Sequence, residues 1–263
     1  MLDSFTLRVL LSFVVAGTWI TLATILSERL GTKLGGLLCN LPSTIVVSLL
    51  FIGWTQNASF AAEAAKAAPI GMLAGTAFLF VYILGLKRFG NTAAFFALAA
   101  WELVAIPIGL LGDTDLVVGV LLYAIATLAA SYYLEKRMRI PSLKKRDCDY
   151  SIKELLLRAV VSGGIVAIAV TIAALGGPVW AGLFSVFPAV MFSTMLVLTN
   201  AQGRSFAQAT GKVMLPASAN IVVYGLAVYL TYPVYGLVVG TLVSYATAAG
   251  FVLLIYPIMK RVS

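Results

Sequence analysis

The chain is predicted to fold as an all-α, polytopic transmembrane helix bundle, on three observations. Of its 263 residues, 61% are hydrophobic and only 11% charged, with a mean hydropathy of +1.02. No soluble domain hides that much apolar surface. Nine apolar runs are each long enough to cross a hydrocarbon core of about 30 Å at about 1.5 Å per residue. Finally, residues 14–70 laid without a gap over 160–216, 146 residues later, give 14 identities in 57 positions. A composition this skewed gives roughly five by chance.

The runs follow in order. The first, 7–28, lacks a basic leader and is too long for a cleavable signal, so it stays as a span. The second, 34–54, carries Pro42 near its middle, and the third, 61–84, follows Ser59, a residue type that caps helices. Gly71 and Gly75 in that third run form a GxxxG spacing that lets another helix approach. The fourth, 92–111, has Glu102 at its centre, and the fifth is 115–134. After a charged loop come 155–175, then 179–199 with Pro188, then 207–230 with Asn220, and last 233–257. The chain thus divides into a first repeat with one additional span (1–134), a basic linker (135–154) and a second repeat (155–263). The linker is too short and too charged to bury a core.

Lysine and arginine set the orientation. Residues 135–154 hold Lys136, Arg137, Arg139, Lys144, Lys145, Arg146 and Lys153 and belong in the cytoplasm. With nine spans, 16 cationic residues fall inside and only Arg8 and Lys66 outside, with the N-terminus out and the C-terminus in. Helices 1–3 and 6–8 then run oppositely, and the repeat is inverted. Eight spans, with 92–111 not crossing, give 14 against four and a parallel repeat. The likeness of 116–119 to 237–240 (both Leu-Val-Val-Gly) pulls towards a parallel arrangement, so the two remain open.

Few polar residues are available for chemistry. Pro42 and Pro188 match in the alignment, and a proline inside a helix frees a carbonyl about four residues back. Near them lie Asn40, Ser43, Thr44 and Ser185. Paired broken helices at corresponding positions point to a substrate site near the bilayer midplane; the alternative is that both merely bend. Glu102 is expected to face protein or water, as proton carrier, cation ligand or structural hydrogen-bonding group, because a central carboxylate costs about 2.5–3.5 kcal/mol to insert. Lys66 and Lys212 also match, and would either attract an anion beside a helix start or snorkel to the interface. Asn220 is a polar residue within its span.

Much is excluded. The chain has no histidine, which removes Ser-His-Asp and Cys-His nucleophiles and most transition-metal sites. Cys39 and Cys148 make no disulfide framework. No metal or other cofactor is expected, and no nucleic acid, since the net charge of +8 sits between spans.

GGLLCNLPSTIVV (35–47) and AGLFSVFPAVMFS (181–193), each followed by Ser-Phe-Ala and a lysine, resemble the GlpM-like family of small four-helix inner-membrane proteins. Leu41 departs from that pattern where Phe187 keeps it. The resemblance implies two such units fused, able to pair antiparallel in a prokaryotic inner membrane, and brings no substrate. The function expected from the residues is a secondary transporter that moves a small solute or ion by alternating access, with Glu102 as a possible proton-coupling group. A channel or a lipid flippase or scramblase is the alternative, and an enzyme is disfavoured. Monomer and homo-oligomer both remain open.

Overall fold

The computed structural model describes residues 4–29, 42–141 and 152–262; Cys39, Asn40 and Cys148 lie outside them. Among the described residues there is no strand. The helices are α1 (Ser4–Arg29), α2 (Ser43–Thr55), α3 (Ala58–Lys66), α4 (Ala68–Phe89), α5 (Ala93–Leu111), α6 (Leu116–Tyr132), α7 (Ile152–Ser185), α8 (Ala189–Ala201), α9 (Arg204–Ala217) and α10 (Ala219–Val262). A π turn, Tyr133–Arg137, follows α6.

Local chemistry sets several of these ends. Asn57 opens α3 by accepting the Phe60 N–H at 2.8 Å, and Asp115 opens α6 by accepting that of Val118 at 2.8 Å. Gly112, in the left-handed region (φ 72°), closes α5. Pro188 breaks the run 179–199 between α7 and α8, whereas the residues ahead of Pro42 lie outside the described ones. The two prolines stand immediately before α2 and α8. A fixed φ and a missing N–H suit a helix start better than its interior.

Among the described residues, five helical stretches are long and apolar enough to cross a membrane: Ser4–Leu22, Ala68–Leu111, Leu116–Arg137, Ile152–Ala201 and Arg204–Ile255. That is fewer than the nine crossings the apolar runs predict: three pairs of runs join into single stretches, and of the second run only the short helix Ser43–Thr55 is described. Three stretches have 44, 50 and 52 residues, and 44 residues of straight helix would measure about 66 Å, twice a hydrocarbon core. Tight breaks replace the loops between runs. Gly90 (φ 58°) folds α5 back along α4, so a Cβ on Gly85 would lie 2.9 Å from that of Ala93. Gly236 (φ 72°) does the same inside α10: the Tyr232 hydroxyl lies 2.7 Å from Thr241 Oγ1, and Thr231 Oγ1 lies 2.8 Å from Ser244 Oγ. An unbroken helix would hold Thr231 and Ser244 about 20 Å apart. Gly177 (φ 80°, ψ −179°) breaks α7.

Small residues bring the helices close. A Cβ on Gly17 would lie 2.9 Å from the Ala159 carbonyl oxygen, and one on Gly163 would lie 2.6 Å from that of Phe13. Residue 13 therefore meets 163 and residue 17 meets 159, so α1 and α7 cross antiparallel. Gly182 seats the second part of α7 on the α3 backbone at Ala64. Of the GxxxG pair, Gly71 admits Leu183 and Val186, whereas Gly75 meets only Met72 of its own helix.

Large apolar side chains cover the outward faces, among them Phe95, Leu103, Leu110, Leu128 and Leu254, with Leu103 78% exposed. An apolar exterior on long apolar helices is the pattern of a membrane protein.

Candidate solute site between two helix starts

The two proline-led starts meet. A cavity of about 110 Å³ is lined by Pro42, Ser43, Thr44 and Ile45 on one side and by Ser185, Val186, Phe187, Pro188, Val190 and Met191 on another. Met214, Ala217, Ser218, Asn220 and Ile221, around the break between α9 and α10, close it. That volume holds a few water molecules or a small solute.

The first N–H groups of a helix have no partner within it. The Pro42 carbonyl accepts from Val46 N at 3.2 Å and that of Pro188 from Phe192 N at 2.7 Å, so both helices begin at once. No side chain caps α2 or α8, and neither has an acidic residue in its first turn. α3 and α6, by contrast, are capped by Asn57 and Asp115. At the α8 start the Ala189 N–H donates to the Phe187 carbonyl at 2.7 Å, and α4, α5 and α9 likewise begin without a side-chain cap.

The remaining polar groups divide into satisfied and unsatisfied. Ser185 Oγ donates to the Gly182 carbonyl at 2.7 Å. Ser218 Oγ donates to the Leu215 carbonyl at 2.6 Å and lies 2.8 Å from the Tyr123 hydroxyl. Asn220 is only 2% exposed, and its Nδ2 has no hydrogen-bond partner. A buried amide donor left unpaired is costly. Phe187 backs the cavity with aromatic packing, its ring 4.8 Å from that of buried Trp101 and stacked at 9° on Phe184.

Six residues singled out by sequence thus come together: Pro42, Ser43, Thr44, Ser185, Pro188 and Asn220. Asn40 lies outside the described residues. Glu102 is exposed on the outward face of α5, in the same row as Phe95, Leu103 and Ile106, instead of facing protein. Buried Trp101 takes the inward position beside it. Lys66 and Lys212 do not line the cavity either. Lys66 pairs with Asp113, and buried Lys212 reaches Glu135 and the Ile140 carbonyl. No acidic or basic side chain lines the cavity among the described residues, and none of them form a group of three or more His, Cys, Asp or Glu that would hold a metal.

Sequence reasoning missed Val186, Phe187, Met191, Met214, Ser218 and Ile221. The apolar members carry no signal in so apolar a chain. Ser218 had one: it breaks the run 207–230 two residues after Pro216.

No curated protein and no solved structure matches the chain. Residues 9–111, from α1 to the end of α5, match the family described as "Protein of unknown function (DUF3147)".

Proposed function

We propose that the protein is an integral membrane carrier that moves a small solute through the cavity by alternating access. The observation that carries this reading is the convergence of two proline-led helix starts, from widely separated parts of the chain, on one cavity. Discontinuous helices whose N-termini face a midplane cavity are the usual solute sites of secondary carriers.

An inverted two-fold arrangement supports it. The pairs Gly17–Ala159 and Phe13–Gly163 exchange under the 146-residue shift, as an isologous contact requires. Antiparallel helices related in this way imply an axis in the membrane plane. The same shift carries Ser43–Thr55 onto Ala189–Ala201, Ala58 onto Arg204 and the Gly90 turn onto the Gly236 turn. The family match ends at residue 111 and leaves α6 outside, in keeping with two related units separated by one added crossing. Nine crossings follow, with Lys87, Arg88 and Arg204 inside and the Lys66–Asp113 pair outside. The relation of those units to GlpM-like proteins stays part of this proposal. Glu102 is not part of the route, because it faces away from it.

Thiol accessibility tests the reading. In a variant with Cys39 and Cys148 replaced by serine, Thr44→Cys and Ser185→Cys are each expected to react with impermeant reagents from both faces of sealed vesicles. Reagent applied to one face should protect against the other. Reaction from a single face, or from neither, sinks alternating access, and simultaneous access with ionic current identifies a channel.

A further inference from the structure

We propose that Lys212 and Glu135 form a latch that shuts one end of the cavity, and that Lys66 and Asp113 form its slack counterpart at the other end. As a device that sets which face the cavity opens to, this rests on the carrier reading. α6 belongs to neither of the two related units and is tied to both. Its Thr127 Oγ1 lies 3.0 Å from that of Thr76 in α4. One turn earlier, the Tyr123 hydroxyl lies 2.8 Å from Ser218 Oγ, at the break between α9 and α10. An acid stands at each end of this helix, Asp113 in the loop ahead of it and Glu135 in the π turn behind it. Each acid takes the matched lysine of a different unit.

The two pairs are in different conditions. Lys212 is buried and donates both to a Glu135 carboxylate oxygen at 2.8 Å and to the Ile140 carbonyl at 2.9 Å. The π turn, closed by the Met138 N–H on the Tyr133 carbonyl at 3.0 Å, precedes the second of these acceptors. Lys66 lies 3.5 Å from Asp113, whose side chain is largely exposed.

A buried ion pair adds little net stability, because desolvating both charges offsets their attraction, and apolar side chains of similar size hold as well or better. What such a pair supplies is a contact made or broken as a unit. Lys212 stands on α9 between its start at Arg204 and the cavity residues Met214, Ala217 and Ser218. Lys66 stands at the same distance along the chain from Ala58, the residue matched to Arg204. In an inverted pair of units, matched elements exchange roles when the site turns from one face to the other. One device therefore occurs twice, once shut and once slack.

The test uses the full-length protein in sealed vesicles, with Cys39 and Cys148 replaced by serine and Thr44→Cys as the single thiol. Reaction with an impermeant reagent is timed from each face, and a separate Lys136→Cys variant locates the face that bears the Lys212 latch. Glu135→Gln and Lys212→Met should each raise the rate from that face, relative to the other, by about fivefold or more. Lys212→Met leaves no buried charge behind, so it tests the latch even if Glu135→Gln does not fold. Asp113→Asn, at the slack end, should change the ratio less than about twofold. A pair that only props the fold would alter stability and leave the ratio where it was.

An unchanged ratio in Lys212→Met, a shift towards the opposite face, or an equal shift in Asp113→Asn overturns the latch. If the parent reacts from both faces, that failure leaves the carrier reading intact. Reaction of the parent from the far face alone, with the latch face opened by Lys212→Met, keeps the latch and removes the carrier. Reaction from neither face, in the parent and in Lys212→Met, removes both.

Discussion

Lys66 and Lys212 stand at matched positions of the two aligned stretches and meet opposite surroundings. The Lys212 side chain is 3% exposed, with Nζ 2.8 Å from a Glu135 oxygen and 2.9 Å from the Ile140 carbonyl. Lys66 is 26% exposed and lies 3.5 Å from Asp113, whose own side chain is 88% exposed. Alignment therefore places each cation on its helix without choosing its partner. Partners come from segments outside the aligned stretches, namely the π turn after α6 and the loop after α5.

Removing one member of each pair should give very unequal results, and this is the largest effect expected. Glu135→Ala leaves a buried ammonium with, among the described residues, the Ile140 carbonyl alone and should lose about 3 kcal/mol of stability, read by denaturant unfolding in micelles. Equal losses for Glu135→Ala and Asp113→Ala would break the comparison.

A second contrast asks where the two aligned stretches behave alike. Gly17→Ala and Gly163→Ala both drive a methyl against a backbone carbonyl in the α1–α7 seam. Each should cost about 2 kcal/mol, and the two should agree within about 0.5 kcal/mol. Gly164, one residue along, has open space around its missing Cβ. Gly164→Ala should raise the unfolding midpoint slightly, by up to about 1 kcal/mol in free energy, since alanine favours helix. A loss at Gly164 like that at Gly163 would show that the seam is not what tells them apart.

The smallest change belongs to Asp113→Ala, at about 1 kcal/mol or less, because water and salt already screen the pair. Raising salt should remove most of that difference and leave the Glu135→Ala loss largely in place.

The cavity was legible in sequence where a rule of backbone chemistry left a trace. Pro42 and Pro188 cannot donate to a preceding turn, and hydroxyl or amide groups such as Ser43, Thr44, Ser185 and Asn220 stand out against apolar runs. What periodicity cannot supply here is rotation. α5 is apolar all round, so nothing in its pattern says whether Trp101 or Glu102 turns inward. The cost of a central carboxylate argues for an inward Glu102, and packing places the larger indole there instead. Span joins left unequal traces. Lys87, Arg88 and Asn91 mark the Gly90 turn between the runs 61–84 and 92–111, whereas Gly236 reverses the chain inside the run 233–257 with no charged loop to mark it.

Those one-residue reversals have a practical consequence. An epitope, protease site or fluorescent tag inserted at Gly90 or Gly236 would have to unwind helix on both sides before a receptor or enzyme could grip it. Labels intended to follow the molecule at work are better carried as single side chains, such as a thiol at the outward-facing Glu102, where nothing needs to unfold to be seen.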